Sequence, residues 1–206
     1  MWIKICGIRD VETAVAVAEQ GADAIGLNFY AGSPREVDVD VAAEIASELP
    51  PDVEPVGLFV NHQPEEILAI SAKCGLKTVQ LHGDEPPGFA AALPGLRIIR
   101  ALRIGDDLVA ATAFLDECRR LSTTPDFSLV DARVAGQYGG TGKTVSWRLL
   151  ADDEPIQSWP PLILSGGLTP ENVGEAISIC RPWGVDVSSG VESVRAEKNL
   201  PLVEQF

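Results

Sequence analysis

The amino-acid sequence predicts one (β/α)8 TIM barrel as a single domain over residues 1–206, with a short C-terminal tail in place of a full last helix. Three observations predict it. Short apolar runs alternate with longer amphipathic stretches along the whole chain, the pattern of a parallel sheet covered by helices. The alternation repeats eight times, which suggests closure of the sheet. The polar residues of the runs fall at period two and gather toward the C-terminal ends of the strands, where barrel enzymes build their sites. An open doubly wound sheet is the competing fold. It is disfavoured because Cys6-Gly7-Ile8-Arg9-Asp10, and not Gly-x-Gly-x-x-Gly, follows the first run.

In chain order, strands are expected at 2–6, 24–28, 55–61, 78–82, 98–102, 127–131, 162–165 and 184–187. Residues 11–20, 39–48, 64–73 and 106–120 show apolar spacings of three and four and are expected to be helical. Asp10 is placed to cap the first helix, and Thr169-Pro170-Glu171 offers a capping threonine with proline at the first helical position for a later one. On the first strand Lys4 and Cys6 are expected to face the barrel interior and Ile3 and Ile5 the helices. Ala24, Gly26 and Asn28 share a face, as do Gly57, Phe59 and Asn61, then Gln80 and His82, then Asp186 and Ser188. Gln80 and Lys4 are also readable as satisfied polar groups of a barrel core. The tail after Glu192 leaves little room for a last helix; weak closure is expected there, with Leu202 and Phe206 covering the bottom of the first and last strands.

Composition narrows the function. Apolar residues at 46% and charged residues at 22% are ordinary for a folded domain, and no apolar run reaches the roughly 20 residues of a membrane span. The N-terminal residues lack the apolar centre of a signal peptide, so a cytoplasmic protein is expected. Cys6, Cys74, Cys118 and Cys180 are widely spaced and suggest neither a zinc site nor a disulfide framework. His62 and His82 are too few and too separate for a metal site. With 30 acids against 16 bases the net charge of −14 opposes nucleic-acid binding. An anionic small substrate would therefore need fixed positive groups close to it.

Several segments meet that need. Ser165-Gly166-Gly167-Leu168-Thr169 and Ser188-Ser189-Gly190-Val191-Glu192 follow the seventh and eighth strands, where glycines let the backbone approach an anion and free amides can receive a phosphate. Arg35, after Ser33-Pro34, suits two-pronged binding of a carboxylate. For proton transfer, Cys6 at a strand end is paired by spacing with Lys4, whose ammonium would favour the thiolate. Asp131 is the matching acid, a carboxyl kept protonated by desolvation at an apolar barrel mouth. Gly139-Gly140-Thr141-Gly142-Lys143-Thr144 looks like a nucleotide cradle, but the pattern's first glycine would stand at position 137, which is Gln137. This stretch is expected to be a loop that closes over the site and brings Lys143 to an anionic substrate.

Seven motifs in order resemble the phosphoribosylanthranilate isomerase family of tryptophan biosynthesis. They are Lys4-Ile-Cys6-Gly7-Ile8, Gly26-Leu-Asn28-Phe29-Tyr30 with Ser33-Pro34-Arg35, Gly57-Leu-Phe59-Val60-Asn61, Gln80-Leu-His82-Gly83-Asp84-Glu85, Asp131 with Gly139 to Lys143, Gly166-Gly-Leu-Thr-Pro-Glu-Asn172, and Asp186-Val-Ser-Ser-Gly-Val-Glu192. The resemblance implies a (β/α)8 barrel performing an Amadori rearrangement of N-(5-phosphoribosyl)anthranilate without a cofactor. It implies Asp131 as general acid, Cys6 as general base, Arg35 near the anthranilate carboxylate, and Gly166, Gly167, Ser188, Ser189 and Gly190 around the phosphate. Asp186 would contact a sugar hydroxyl or the amine, with Lys4, His82 and Lys143 in support. Arg9 and Asp10 depart from the family's usual threonine after Gly-Ile. The expected partner is the small anionic phosphosugar-anthranilate, with no nucleic acid and no membrane; a monomer is expected, with a dimer as the alternative. Two other readings compete: a related phosphosugar aminoaldose isomerase, and a P-loop-like nucleotide-binding module.

Overall fold

The computed structural model describes residues 1–105, 107–132, 147–151 and 154–206. Eight parallel strands close into a barrel in sequence order: β1 (Trp2–Cys6), β2 (Ala24–Asn28), β3 (Glu54–Phe59), β4 (Thr78–Leu81), β5 (Arg97–Ile104), β6 (Phe127–Ala132), β7 (Leu162–Leu164) and β8 (Gly184–Val187). Closure is made by β8 on β1, with Trp2 opposite Gly184 and Lys4 opposite Asp186. Four register pairs join these two strands, so the expected weakness of closure is not found.

Each element has a local cause. Helix α1 (Val11–Glu19) starts at Asp10, whose carboxylate accepts from Thr13 N at 2.8 Å, the N-cap geometry expected of it. Helix α2 is Val39–Glu48, capped by Asp38. Helix α3 (Pro64–Cys74) has proline at its first position and ends on Gly75 in the left-handed conformation at φ +63, a conformation open to glycine. Helix α4 (Val109–Arg120) buries Ala111, Leu115 and Cys118 on one face.

Helices α5 (Trp147–Ala151), α6 (Val173–Cys180) and α7 (Leu200–Gln205) are shorter. Between β4 and β5 the crossover holds a 3-10 turn at Phe89–Ala92 where the repeat would place an α-helix. Pro86, Pro87 and Gly88 before it and Pro94-Gly95 after it leave no room for a longer one. No described helix is long and apolar enough to cross a membrane.

Side chains alternate across the wall. The lower interior is apolar, with Ala24, Val56, Ile99, Ala101, Leu129 and Ile163 in contact and Trp2 and Phe127 against them. Trp183 lies beside both rings, 5.2 Å from Trp2 and 4.4 Å from Phe127. The outer faces of the strands meet the helices in the larger core. On β3 the expected inward face is corrected. The register sets Val56 opposite Gly26 and Leu58 opposite Asn28, so Val56 and Leu58 point inward. Gly57 and Phe59 turn outward, where Phe59 stacks on Phe29 at 5.1 Å. Every residue from Val56 to Val60 is buried, so alternation could not tell the faces apart; pairing decides it.

The C-terminal segment adds a small antiparallel hairpin, β9 (Glu192–Val194) and β10 (Glu197–Lys198), and then α7. Asn199 caps α7 through Leu202 N, and its own amide is bonded to Val191 O at 2.9 Å. Leu200, Leu202 and Phe206 pack on the outer core, with Val203 buried. The tail therefore starts at the turn above β8 and lies against α1 on the flank of the barrel; it does not cover the bottom, where the tryptophans already form the lower layer.

Candidate active site

The C-terminal rim of the barrel gathers most of the sequence-derived site residues. Cys6 ends β1, and its thiol fits inside the barrel because β2 carries Gly26 beside it. A Cβ on Gly26 would come within 2.7 Å of Cys6 Sγ. Gly7, at φ +86, turns the chain out of β1 and leaves room for the Arg35 side chain, whose Cδ a Cβ there would meet at 2.5 Å.

Lys4 lies one layer below Cys6 and is fully buried. Its Nζ donates to Asp186 Oδ1 at 2.6 Å, and Ser165 Oγ donates to Asp186 Oδ2 at 3.1 Å. Burial opposes the Lys4 ammonium, but Asp186 and Cys6 outweigh it and hold its pKa above the ordinary value. The expected activation of Cys6 by Lys4 is present but not dominant. Burial pushes the Cys6 thiol up, Lys4 pulls it down, Asp186 raises it again and Lys198 lowers it, with a net rise.

Asp131 is the penultimate residue of β6 and is buried, three strands from β1 around the ring by way of β7 and β8. It is thus not on the diametrically opposite strand, but the Lys4, Asp186 and Ser165 chain lines the wall between it and Cys6. Among the described residues Asp131 Oδ1 has no hydrogen-bond partner, although it is shielded from solvent. His82 stands on β4's inward face, with Nε2 3.4 Å from Asp131 Oδ2 and Nδ1 2.9 Å from Gln80 Nε2. The His82 Nε2 is itself without a hydrogen-bond partner there. A buried carboxyl oxygen without a partner among the described residues is suited to meet a substrate oxygen.

Arg35, expected to bind a carboxylate with two prongs, does so within the chain. It is buried, and Nε and Nη2 donate to the two oxygens of Glu192 at 2.7 and 2.8 Å. Glu192 also accepts from Lys198 Nζ at 2.7 Å and Ala196 N at 3.0 Å. Burial alone raises the Glu192 carboxyl; the Arg35 bonds, then the Lys198 charge and bond, outweigh it and hold its pKa down to about 2. Glu192 and Lys198 are the residues that sequence reasoning missed. The pairing of Arg35 and Glu192, 157 residues apart, had no local signal.

The two glycine segments come together above β7 and β8. Gly166 and Gly167 both have positive φ, +85 and +69. Gly190 lies so close to Leu168 that a Cβ would enter its carbonyl oxygen. Ser188 Oγ donates to Cys6 O at 3.0 Å, tying this corner to the general-base candidate, and Ser189 starts a 3-10 turn, Ser189–Val191. The helix α6 begins at Val173, not at Pro170. Thr169 N donates to Asn172 Oδ1 at 2.8 Å in a turn that delays the helix, and Thr169 is not its cap. Gly139 to Lys143 lies outside the described residues, so the loop expectation does too. The first described helix after it is α5, Trp147–Ala151. No group of three or more His, Cys, Asp and Glu among the described residues could hold a metal.

A closed barrel with a thiol, a carboxyl and two interlocked glycine turns on its C-terminal rim is the architecture of a (β/α)8-barrel enzyme. The comparisons narrow this. A family model described as N-(5'phosphoribosyl)anthranilate (PRA) isomerase matches residues 3–206. The N-(5'-phosphoribosyl)anthranilate isomerase of Geobacter sulfurreducens is 43% identical over 204 residues, 99% of this chain and 95% of its own length. The crystal structure of phosphoribosyl anthranilate isomerase from Thermotoga maritima superposes with a TM-score of 0.86 at 38% identity, over 100% of this chain and 96% of that one. A structure of the isomerase in complex with reduced 1-(o-carboxyphenylamino)-1-deoxyribulose 5-phosphate gives a TM-score of 0.84 at 36% identity, with the same coverage. The chain belongs to the N-(5'-phosphoribosyl)anthranilate isomerase family.

Proposed function

We propose that this protein performs the Amadori rearrangement of N-(5-phosphoribosyl)anthranilate, a step of tryptophan biosynthesis, with Asp131 as general acid and Cys6 as general base. Asp131 gives a proton to the ribose ring oxygen as the C1–O bond breaks and the nitrogen lone pair forms a C=N bond. The Cys6 thiolate then takes the C2 proton, and the electrons of that bond form C1=C2 and return the nitrogen to neutrality. The enolamine tautomerises to the ketone, 1-(2-carboxyphenylamino)-1-deoxyribulose 5-phosphate. Electrons and protons balance without a cofactor.

The observation that carries this reading is the presence, on one rim, of a buried thiol and a buried carboxyl with an oxygen that has no partner among the described residues. Gly166, Gly167, Ser188, Ser189 and Gly190 receive the phosphate on backbone amides. Arg35, oriented by Glu192, faces the anthranilate carboxylate. Asp186 takes a sugar hydroxyl or the amine, with Lys4, His82 and Lys143, the last outside the described residues, as supports. One chain supplies all these groups, so the reading needs no second copy; a monomer is the expected state and a dimer the alternative. The complex of a similar protein with the reduced product supports the same ligand class here.

The test is the loss of anthranilate-adduct fluorescence when purified protein meets the substrate, together with stabilisation by the reduced product. The isomerase reading predicts both. Binding without consumption would leave a non-catalytic phosphate-binding barrel, and stabilisation by magnesium-ATP instead would favour the nucleotide module.

A further inference from the structure

Behind Cys6 lies a charged cluster closed off from solvent. The side chains of Lys4, Asp186, Arg35, Glu192 and Lys198 are all at most 10% exposed. Lys4 is matched by Asp186, while Glu192 is shared by Arg35 and Lys198. Among the described residues, three cations therefore face two carboxylates. A buried charge without its counterpart is costly, so the cluster lacks one negative charge.

We propose that Lys198 is a positioning residue for the general base, completing a cationic cluster that the Cys6 thiolate neutralises. Its seating is specific. The β9–β10 hairpin folds the chain back through Ala196, a non-glycine residue at φ +69, and Glu192 accepts the Ala196 amide at 3.0 Å. A left-handed alanine is uncommon and is held here by the side chain it helps to place. The turn brings Lys198 Nζ to 3.0 Å from Ser188 O, and Ser188 Oγ is bonded to Cys6 O.

Among the described residues, four charged groups bear on the thiol and one ring packs on its cluster. They are Lys4 from its own strand, Asp186 from β8, Lys198 from β10, Arg35 from the segment after β2, and the phenol of Tyr30 packed beside it. Lys4 and Lys198 offset the burial that disfavours the thiolate. Lys198 is itself drawn below its ordinary pKa by burial, which Glu192 opposes.

The inference rests on Cys6 being the base, but its test reads the thiol and not turnover, so the two can fail separately. The full chain is treated with iodoacetamide across a pH series, and mass spectrometry of the Cys6 peptide gives the pH of half-maximal alkylation rate apart from the other cysteines. Lys198→Met is expected to raise that pH by on the order of one unit or more, and Lys198→Arg to keep it near the wild-type value. Glu192→Gln, which removes a negative charge, is expected to lower it. A merely structural role would move Lys198→Met and Glu192→Gln the same way. Shifts of equal sign, or no shift in folded Lys198→Met, overturn the proposal. If Lys198→Met does not fold, Glu192→Gln decides: a fall supports the proposal, and no change or a rise overturns it.

Discussion

At the scale of single residues, the site depends on what is missing as much as on what is present. Gly26 is there because Cys6 is there, and Gly26→Ala would drive a methyl into the thiol and the Cys6 backbone. The expected outcome is a loss of about a hundredfold in kcat, the order that a displacement of 1 Å costs, while far-UV circular dichroism still reports a barrel; unchanged kcat contradicts the packing argument. The raised pKa of Cys6 gives a second expectation. The thiolate fraction is small at neutral pH and grows as pH rises, so kcat/KM should climb on the alkaline side and follow the alkylation of Cys6. A pH-rate profile flat above neutrality would show that another group is the base. Cys6, Asp131 and the glycine segments were legible because strand ends and glycine turns leave marks within a few residues. Glu192 was not, because Arg35 lies 157 residues away and meets it only in the closed barrel, and Lys198 was not, because the hairpin that returns it to Glu192 turns on a left-handed alanine, Ala196, with no glycine to mark it.

At the scale of elements, period-two and period-three-to-four patterning located all eight strands, and β1, β2 and β8 match the expected bounds. Two of the three misreadings, on β3 and in the tail, arise because local pattern was asked to decide what tertiary pairing decides, and the other, at α6, is a local bond that competes with the helix. On β3 an all-buried run hid which residues face inward. At α6 the Asn172 side chain competed for the Thr169 amide and moved the helix start. The tail is the third case, where a short helix seals a flank because a hairpin has already returned the chain to the rim. Asn199→Ala, which removes the α7 cap, should cost about 1 kcal/mol in unfolding free energy. Deleting residues 200–206 should raise amide exchange in α1 and the Ser189–Val191 turn while β3 to β6 stay protected. Protection of α1 equal to that of the full chain would show that the tail does not seal this flank.

At the scale of the whole molecule, a chain of net charge −14 nevertheless buries the cations Lys4, Arg35 and Lys198 around Cys6. The Glu192 clamp links this placement to stability. Its folded pKa of about 2 lies below the ordinary carboxyl value of 4.5. The stabilisation, on the order of 3 kcal/mol from the linkage of pKa to folding, is complete above the ordinary value and is lost as pH falls toward about 2. Denaturant unfolding at pH 6 and pH 3 should show a smaller acid loss in Glu192→Gln than in the wild type; equal losses would place the acid sensitivity elsewhere. The central claim is that one thiol and one carboxyl, set three strands apart on one rim, carry the rearrangement. Single-turnover assays of Cys6→Ser and Asp131→Asn, with affinity for the reduced product measured in parallel, test it most directly. The account predicts that each variant loses several orders of magnitude in rate and still binds the product analogue, whereas near-normal turnover in either would contradict it.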